Sequence, residues 1–127
     1  FKHINDNHGH DIGDIVLQSI VQTVLSCVRK TDAVIRYGGD EFVIIFFNIP
    51  QDIFGKKLER IRHSVDSLII DDHPELHMSV SIGGAYGIGT IKKLFKAADN
   101  MMYQSKKAKN QVTIYYFDRN EDNTDNI

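Results

Sequence analysis

The run Arg36-Tyr37-Gly38-Gly39-Asp40-Glu41-Phe42 decides the fold, because it joins two segments that each have the composition of a β-strand. Residues 33–37 and 42–47 are rich in β-branched and aromatic side chains, which favours strands. The chain turns between them at two glycines followed by two carboxylates. Glycines and Asp are common in structural turns. A bare backbone beside two negative charges, however, suits a metal-bound polyphosphate better, because a ligand can approach it closely.

The remaining chain alternates between helical and strand patterns. Helices are predicted over residues 11–29, 51–70 and 90–108, the last with Thr90 as N-cap. Further strands are predicted over 75–86 and 111–117, and the glycines at 83, 84, 87 and 89 are expected to loosen the end of the first of these. This order predicts an α+β fold with an antiparallel-dominated sheet flanked by helices. The opening helix has no strand before it, so the sheet is expected to lack one member.

Composition limits the function classes. The 127 residues suit one domain over 1–117, followed by an acidic, flexible tail over 118–127. A formal net charge of -2 argues against a nucleic-acid-binding surface but permits a nucleotide substrate. A single cysteine, Cys27, allows no disulfide within the chain and favours a reducing compartment. No apolar run is long enough for a membrane span. The first residue is Phe1, so a piece of a longer protein is expected.

Residues 3–14 are unusually polar and allow several readings. The spacing does not match an EF-hand calcium loop. The imidazoles of His3, His8 and His10 could bind a transition metal, although loops with several histidines are commonly only solvated. Asn and Asp in this segment could instead read a base, since a carboxylate accepts both N1–H and N2–H₂ of guanine.

Two charged clusters have both a structural and a functional reading. Arg29 and Asp32 could close a helix end or grip a guanine base and a phosphate. Three lysines at the end of the third helix also have two readings, since they could interact favourably with the helix dipole or hold phosphates. They are Lys106, Lys107 and Lys109.

Together these residues resemble the GGDEF domain family, the catalytic domains of bacterial diguanylate cyclases. Residues 36–42 match the family signature in full, and the resemblance extends over nearly the whole chain. The other matching segments are Phe1-Lys2-His3-Ile4-Asn5-Asp6, Gly9-His10-Asp11-Ile12-Gly13-Asp14, Ser79-Val80-Ser81-Ile82-Gly83 and Ala98-Asp99-Asn100-Met101-Met102-Tyr103-Gln104-Ser105-Lys106.

The resemblance implies a palm-like nucleotide-cyclase fold and a reaction. Two GTP molecules, one on each of two facing domains, condense to cyclic di-GMP with loss of two pyrophosphates. Each 3′-hydroxyl attacks the α-phosphate of the other nucleotide, helped by Mg²⁺ or Mn²⁺. Such a step depends on positioning and charge neutralisation. The implied partners are a second copy of the domain and an upstream sensory domain, without nucleic acid or direct membrane contact. The implied location is the bacterial cytoplasm, including the cytoplasmic part of a membrane-anchored sensor.

The resemblance also implies roles for individual residues. Asp40 would ligate metal, and Glu41 would assist at the metal or the 3′-hydroxyl. Arg29 and Asp32 match the family's R-x-x-D product-inhibition site, which Arg60 would complete from a neighbouring domain. The residues implied in binding substrate are Phe1, Lys2, Asn5, His10, Asp14, Gly38, Gly39, Lys106 and Lys109.

The chain departs from the family pattern at two places. The family has a strand with a metal-binding Asp immediately before its F-K pair, and this chain begins at Phe1. Residues 1–127 alone are therefore expected not to turn over GTP. The segment 106–110 is one residue shorter than the family's and lacks its Gly, which puts the register of Lys109 in question. Two alternatives stay open: a non-catalytic GTP or cyclic di-GMP sensor, and a polymerase-like palm, which the near-neutral charge disfavours.

Overall fold

The computed structural model describes residues 10–117. The predicted tail over 118–127 and the polar segment before His10 lie outside these residues. The order helix, strand, strand, helix, strand, helix, strand is confirmed, and so is the α+β class. The elements are α1 (His10–Ser26), β1 (Ala33–Arg36), β2 (Phe42–Ile45), α2 (Gln51–Asp66), β3 (Ile82–Tyr86), α3 (Ile91–Ala108) and β4 (Val112–Tyr116).

The chain divides into two compact units, and the described residues of the first are 10–49 and 63–78. Within it, α1 buries one apolar stripe formed by Val16, Ile20 and Val24, which recur every four residues. The helix ends at Ser26, before the predicted Arg29. The cause is local, because the N–H of Arg29 donates to the carboxylate of Asp32 at 2.8 Å and so leaves the helical pattern.

The first unit also contains the predicted hairpin. Strands β1 and β2 pair antiparallel, with Ala33 opposite Ile45 and Arg36 opposite Phe42. The turn therefore begins after Arg36 and ends before Phe42. Both strands are shorter than the sequence pattern suggested, by one residue at Tyr37 and by two at the end of β2.

The described residues of the second unit are 50–62 and 79–117, and they contain a parallel pair of strands. β3 and β4 lie side by side in parallel, with Ile82 opposite Val112. The helix α3 connects them, and a strand–helix–strand crossover brings its two strands together in parallel. The described strands thus form one antiparallel and one parallel two-stranded sheet. The predicted α+β fold therefore holds, with one parallel pair in addition to the predicted antiparallel pair.

Strand β3 begins at Ile82 rather than at the predicted Glu75. The alternation that suggested the longer strand is real, since Leu76 and Met78 are both buried, but the segment makes no ladder. The glycines of β3 do not loosen its end. A Cβ at Gly83 would overlap backbone atoms of Met102 and Ala98 in α3, so glycine is what permits this close helix–strand contact.

The buried polar side chain of Ser105, in α3, is paired. The Ser105 hydroxyl has no exposed surface, donates to the carbonyl of Ile82 at 2.8 Å and lies 2.6 Å from the Thr113 hydroxyl. These contacts tie α3 to both strands. Thr90 caps α3 as predicted, because its side chain accepts the N–H of Lys93 at 3.2 Å.

Helix α2 contributes residues 51–62 to the second unit and 63–66 to the first, and it ends at Asp66, four residues before the predicted end. The helical hydrogen bonds continue to the N–H of Ser67, which donates to the His63 carbonyl. The N–H of Leu68 then donates to the Val65 carbonyl and forms a tighter turn. Phe54, Leu58, Ile61 and Val65 are buried along α2, while Ile53 is 42% exposed. Within residues 10–117, no helix is long and apolar enough to cross a membrane.

Candidate active site

The turn at residues 37–41 is closed by one carbonyl. The Glu41 oxygen accepts the N–H groups of Tyr37, at 2.9 Å, and of Gly38, at 3.2 Å. This bifurcated contact fixes the entry and the exit of the turn against each other. The two glycines and two carboxylates therefore project from the end of a paired hairpin rather than from an open loop.

Arg36 holds the tip of the same turn. Its Nη2 donates to the carbonyl oxygen of Gly39 at 2.6 Å, and its Nε donates to the carbonyl oxygen of Gly38 at 3.2 Å. The sequence signature contains Arg36 but indicates no role for it. Its position at the end of β1, two and three residues from these carbonyls, is the signal that could have suggested this contact.

Neither backbone conformation nor contacts within the described residues require glycine at position 38 or 39. The one glycine with positive φ in the described residues is Gly87, so the turn needs no left-handed backbone at 38 or 39. A Cβ at Gly39 would meet nothing within 4 Å, and one at Gly38 would make only ordinary contacts with Glu41. The backbone at this tip thus faces open space, in agreement with the close approach of a ligand.

Asp40 and Glu41 are the carboxylates that could hold a divalent cation. Asp40 is exposed and Glu41 half-buried. Within residues 10–117, no three acidic, His or Cys side chains are grouped as metal ligands. Mg²⁺ is commonly bound through one or two carboxylates together with substrate phosphates and water. Two adjacent carboxylates beside an open glycine backbone fit that mode of binding, and they do not fit a site built from protein ligands alone.

Arg29 and Asp32 form a closed pair elsewhere in the first unit. Arg29 Nη2 lies 2.9 Å from Asp32 Oδ1, and Nε donates to Oδ2 at 3.3 Å. Arg29 Nη2 also donates to the carbonyl of Phe47, a partner that no sequence pattern indicated. The Asp32 side chain has no exposed surface, whereas that of Arg29 is 42% exposed.

This arrangement changes the pKa of both groups. Burial alone would raise the pKa of Asp32, but hydrogen bonds from the Arg29 guanidinium and backbone, with the charge of Arg29, outweigh it and lower the pKa below its usual 3.8. The pKa of Arg29 is raised, chiefly by its hydrogen bond to Asp32. The carboxylate is therefore kept ionised and turned toward Arg29.

The other predicted site residues lie as follows. Asp14 is exposed on α1. In the second unit, Arg60 is exposed on α2 and Lys106 is exposed in the last turn of α3. Phe1, Lys2 and Asn5 lie outside the described residues, as does the side chain of His10. The structure therefore brings together Gly38, Gly39, Asp40 and Glu41 on one turn, and Arg29 with Asp32 in one ion pair.

Lys109 occupies the C-cap of α3 with a backbone that favours glycine. Its φ is 62° and its ψ 149°, while its N–H donates to the Ser105 carbonyl at 2.8 Å. Asn110 follows at φ 51°, and its side chain accepts Arg62 Nη1 at 3.1 Å. The missing Gly thus leaves Lys109 in a strained conformation, with an exposed side chain.

Comparison with known proteins agrees with this geometry. Residues 1–112 match the family model described as diguanylate cyclase, GGDEF domain. The chain is 36% identical over 119 residues to diguanylate cyclase A of Treponema denticola, covering 90% of this chain and 32% of that protein. It is 41% identical over 106 residues to diguanylate cyclase DgcM of Escherichia coli, covering 84% and 26%. The chain thus spans about a third and about a quarter of these relatives.

Solved structures show the same fold. The GGDEF domain and coiled coil of DgcB from Caulobacter crescentus, in complex with c-di-GMP, superposes with a TM-score of 0.81 at 28% identity, over 90% of this chain and 63% of that one. The active GGEEF domain of a diguanylate cyclase from Vibrio cholerae superposes with a TM-score of 0.81 at 26% identity, over 92% and 77%.

Proposed function

This chain belongs to the GGDEF family of diguanylate cyclase domains, and on that premise we propose that its full-length protein condenses two GTP molecules to cyclic di-GMP. The observation that carries the proposal is the turn at residues 38–41. It places two adjacent carboxylates beside a glycine backbone that is open at Gly39, where a Cβ would meet nothing within 4 Å. A polyphosphate with its cation is the ligand that uses both features.

The reaction joins two nucleotides that are held on two copies of the domain. Each 3′-hydroxyl oxygen forms a bond to the α-phosphorus of the other GTP, the bond to the pyrophosphate oxygen breaks, and the hydroxyl proton is released. Two pyrophosphates leave for each ring closed. Mg²⁺ or Mn²⁺, when bound, would neutralise phosphate charge. Since each attacking hydroxyl belongs to the partner's nucleotide, a single domain is inactive and a dimer is required.

We assign the residues as follows. Asp40 holds the cation, and Glu41 acts at the cation or the 3′-hydroxyl. Asn5 and Asp14 read the guanine edge, where a carboxylate pairs with N1–H and N2–H₂ but not with adenine. Gly38 and Gly39 let the backbone approach the phosphates. The remaining substrate-binding residues in this proposal are Phe1, Lys2, His10, Lys106 and Lys109.

Regulation is assigned to Arg29 and Asp32, joined by Arg60 of a neighbouring domain, as a site for the product. The closed ion pair supports different roles for Arg29 and Asp32. Arg29 has exposed surface with which to meet a phosphate or guanine, and Asp32 has none. The upstream partner would be a sensory domain, and the site of action the bacterial cytoplasm.

The proposal is tested by removing the turn's carboxylates from the full-length protein. Asp40→Asn and Glu41→Gln should each lower the rate of cyclic di-GMP formation from GTP and Mn²⁺ by about a hundredfold or more. Asp72→Asn, an exposed carboxylate in a different loop of the same unit, is the matched control and should keep wild-type activity. If neither the wild type nor the variants form cyclic di-GMP, and all of them still bind it, the sensor function is favoured instead.

A further inference from the structure

The turn's signature arginine is left without a role by the assignments above. We propose that Arg36 is a positioning residue, which orients the backbone N–H groups of Gly39 and Asp40 toward the phosphates of the substrate. This inference rests on the proposed function, because GTP is the ligand whose phosphates the turn would bind. It adds a residue to that site and a reason why the turn is ready for substrate before substrate arrives.

The first step of the argument is the direction of two carbonyl groups. The Arg36 guanidinium accepts no bonds and can only donate, and it donates to the oxygens of both Gly38 and Gly39. Two successive carbonyls therefore converge on one cation. No other contact in the described residues fixes these two oxygens.

The second step follows from the planarity of the peptide bond. No peptide bond in the described chain is cis, so each carbonyl points opposite to the N–H of the next residue. With the oxygens of Gly38 and Gly39 turned toward Arg36, the N–H groups of Gly39 and Asp40 point away from it. Two successive N–H groups on one side of a turn form an anion-binding concavity.

The third step concerns what these N–H groups meet. The N–H groups of Tyr37 and Gly38 are used by the Glu41 carbonyl. Across residues 10–117, no acceptor bonds the N–H of Gly39 or of Asp40. The space a side chain would take at Gly39 is empty within 4 Å. Two donors without an acceptor beside open space are a site for phosphate oxygens.

The arginine also changes the strength of these donors. A cation bonded to the carbonyl end of a peptide polarises the whole unit and makes its N–H end more positive. Arg is suited to this because its planar fork can reach two acceptors at once, whereas Lys offers a single ammonium. Arg36 itself lies on the opposite side of the two peptides from the proposed phosphates, so it acts through the backbone.

The experiment uses the full-length protein and a non-hydrolysable GTP analogue with Mg²⁺, with affinity measured by calorimetry. Arg36→Ala should weaken binding of the analogue about tenfold, and Arg36→Lys should lie between it and wild type. Binding of guanosine, which lacks phosphates, should not change. KM for GTP should rise in parallel while kcat stays within about threefold, since the lost contact is made in both ground and transition states.

Arg62→Lys is the matched control, because Arg62 also bonds two partners, Glu59 and Asn110, but in the second unit. It should lower Tm without changing affinity for the analogue. Affinity of Arg36→Ala within about twofold of wild type would overturn the inference, as would an equal loss for guanosine. A wild type that binds the analogue and shows the Arg36 effect without turnover would contradict the proposed cyclase activity and leave this inference standing.

Discussion

Arg29 holds the carboxylate of Asp32 through its backbone N–H at 2.8 Å, its Nε at 3.3 Å and its Nη2 at 2.9 Å. The pair ends helix α1 and orders the loop toward β1. It also means that the two residues of the expected product-inhibition site are not equivalent. A ligand can contact Arg29 directly. Asp32 influences such a ligand only through the orientation that it imposes on the Arg29 guanidinium.

Product inhibition should therefore depend on Arg29 first. In the full-length protein, Arg29→Ala should raise the concentration of cyclic di-GMP that half-inhibits the enzyme by about tenfold or more, because a charge-assisted contact to the product is lost. Asp32→Asn should have a smaller effect. The neighbouring exposed Lys30 provides the control, since Lys30→Ala alters charge without touching the pair. Unchanged inhibition in Arg29→Ala would exclude the site.

The same pair should leave a signature in the pH dependence of stability. The folded pKa of Asp32 lies below its usual 3.8, so its ionised form favours folding at pH values above this. That contribution is lost as pH falls through the folded pKa. The difference in unfolding free energy between wild type and Asp32→Asn, measured by urea titration, should therefore be present at pH 7 and shrink below about pH 3.8. A difference that grows on acidification would contradict the assignment.

Gly83→Ala should destabilise the second unit severely. Its methyl group would overlap the backbone of Met102 and Ala98, and backbone cannot move aside as a side chain can. A loss of about 3 kcal/mol is expected, at the upper end of the usual range for overpacking. Gly39→Ala, where a methyl meets nothing within 4 Å, should leave Tm unchanged. Similar Tm values for the two variants would show that α3 does not approach β3 as described.

Lys109→Gly should stabilise the protein. Lys109 has a φ of 62° and a ψ of 149°, which glycine adopts far more readily. Relief of this strain should raise the unfolding free energy by about 1 kcal/mol. Lys107→Gly, inside α3, should act in the opposite direction by about the same amount, because glycine is unfavourable in a helix. Urea titrations of both variants test the sign, and destabilisation by Lys109→Gly would contradict the strained cap.

Local chemistry made much of this fold predictable. The β-branched and aromatic segments on either side of Gly38 and Gly39, the apolar stripe of α1 and the Thr90 cap all depend on neighbours in sequence. The predictions were wrong where contacts between residues distant in sequence determine the structure. Strand β3 was predicted too long because Leu76 and Met78 alternate as a strand would, although they are buried without a ladder. Its glycines were expected to loosen the strand end, because the neighbouring sequence does not show that a helix backbone packs against Gly83.

The site was predictable to a similar degree. The turn of two glycines and two carboxylates followed from residues 36–42, and the family assignment from ordered motifs. The contacts of Arg36 with its own turn and of Arg29 with the Phe47 carbonyl did not, because a guanidinium can reach many acceptors and sequence does not say which.

The most direct measurement of the central claim is the identity and ratio of the products that the full-length protein forms from GTP with Mn²⁺. We expect cyclic di-GMP and pyrophosphate in a ratio of one to two, with specific activity rising with protein concentration as the domains pair, and no cyclic product from ATP. Chromatography with mass detection and a pyrophosphate assay give both quantities. GTP left intact by a folded wild-type protein, or converted without cyclic di-GMP, would contradict the claim.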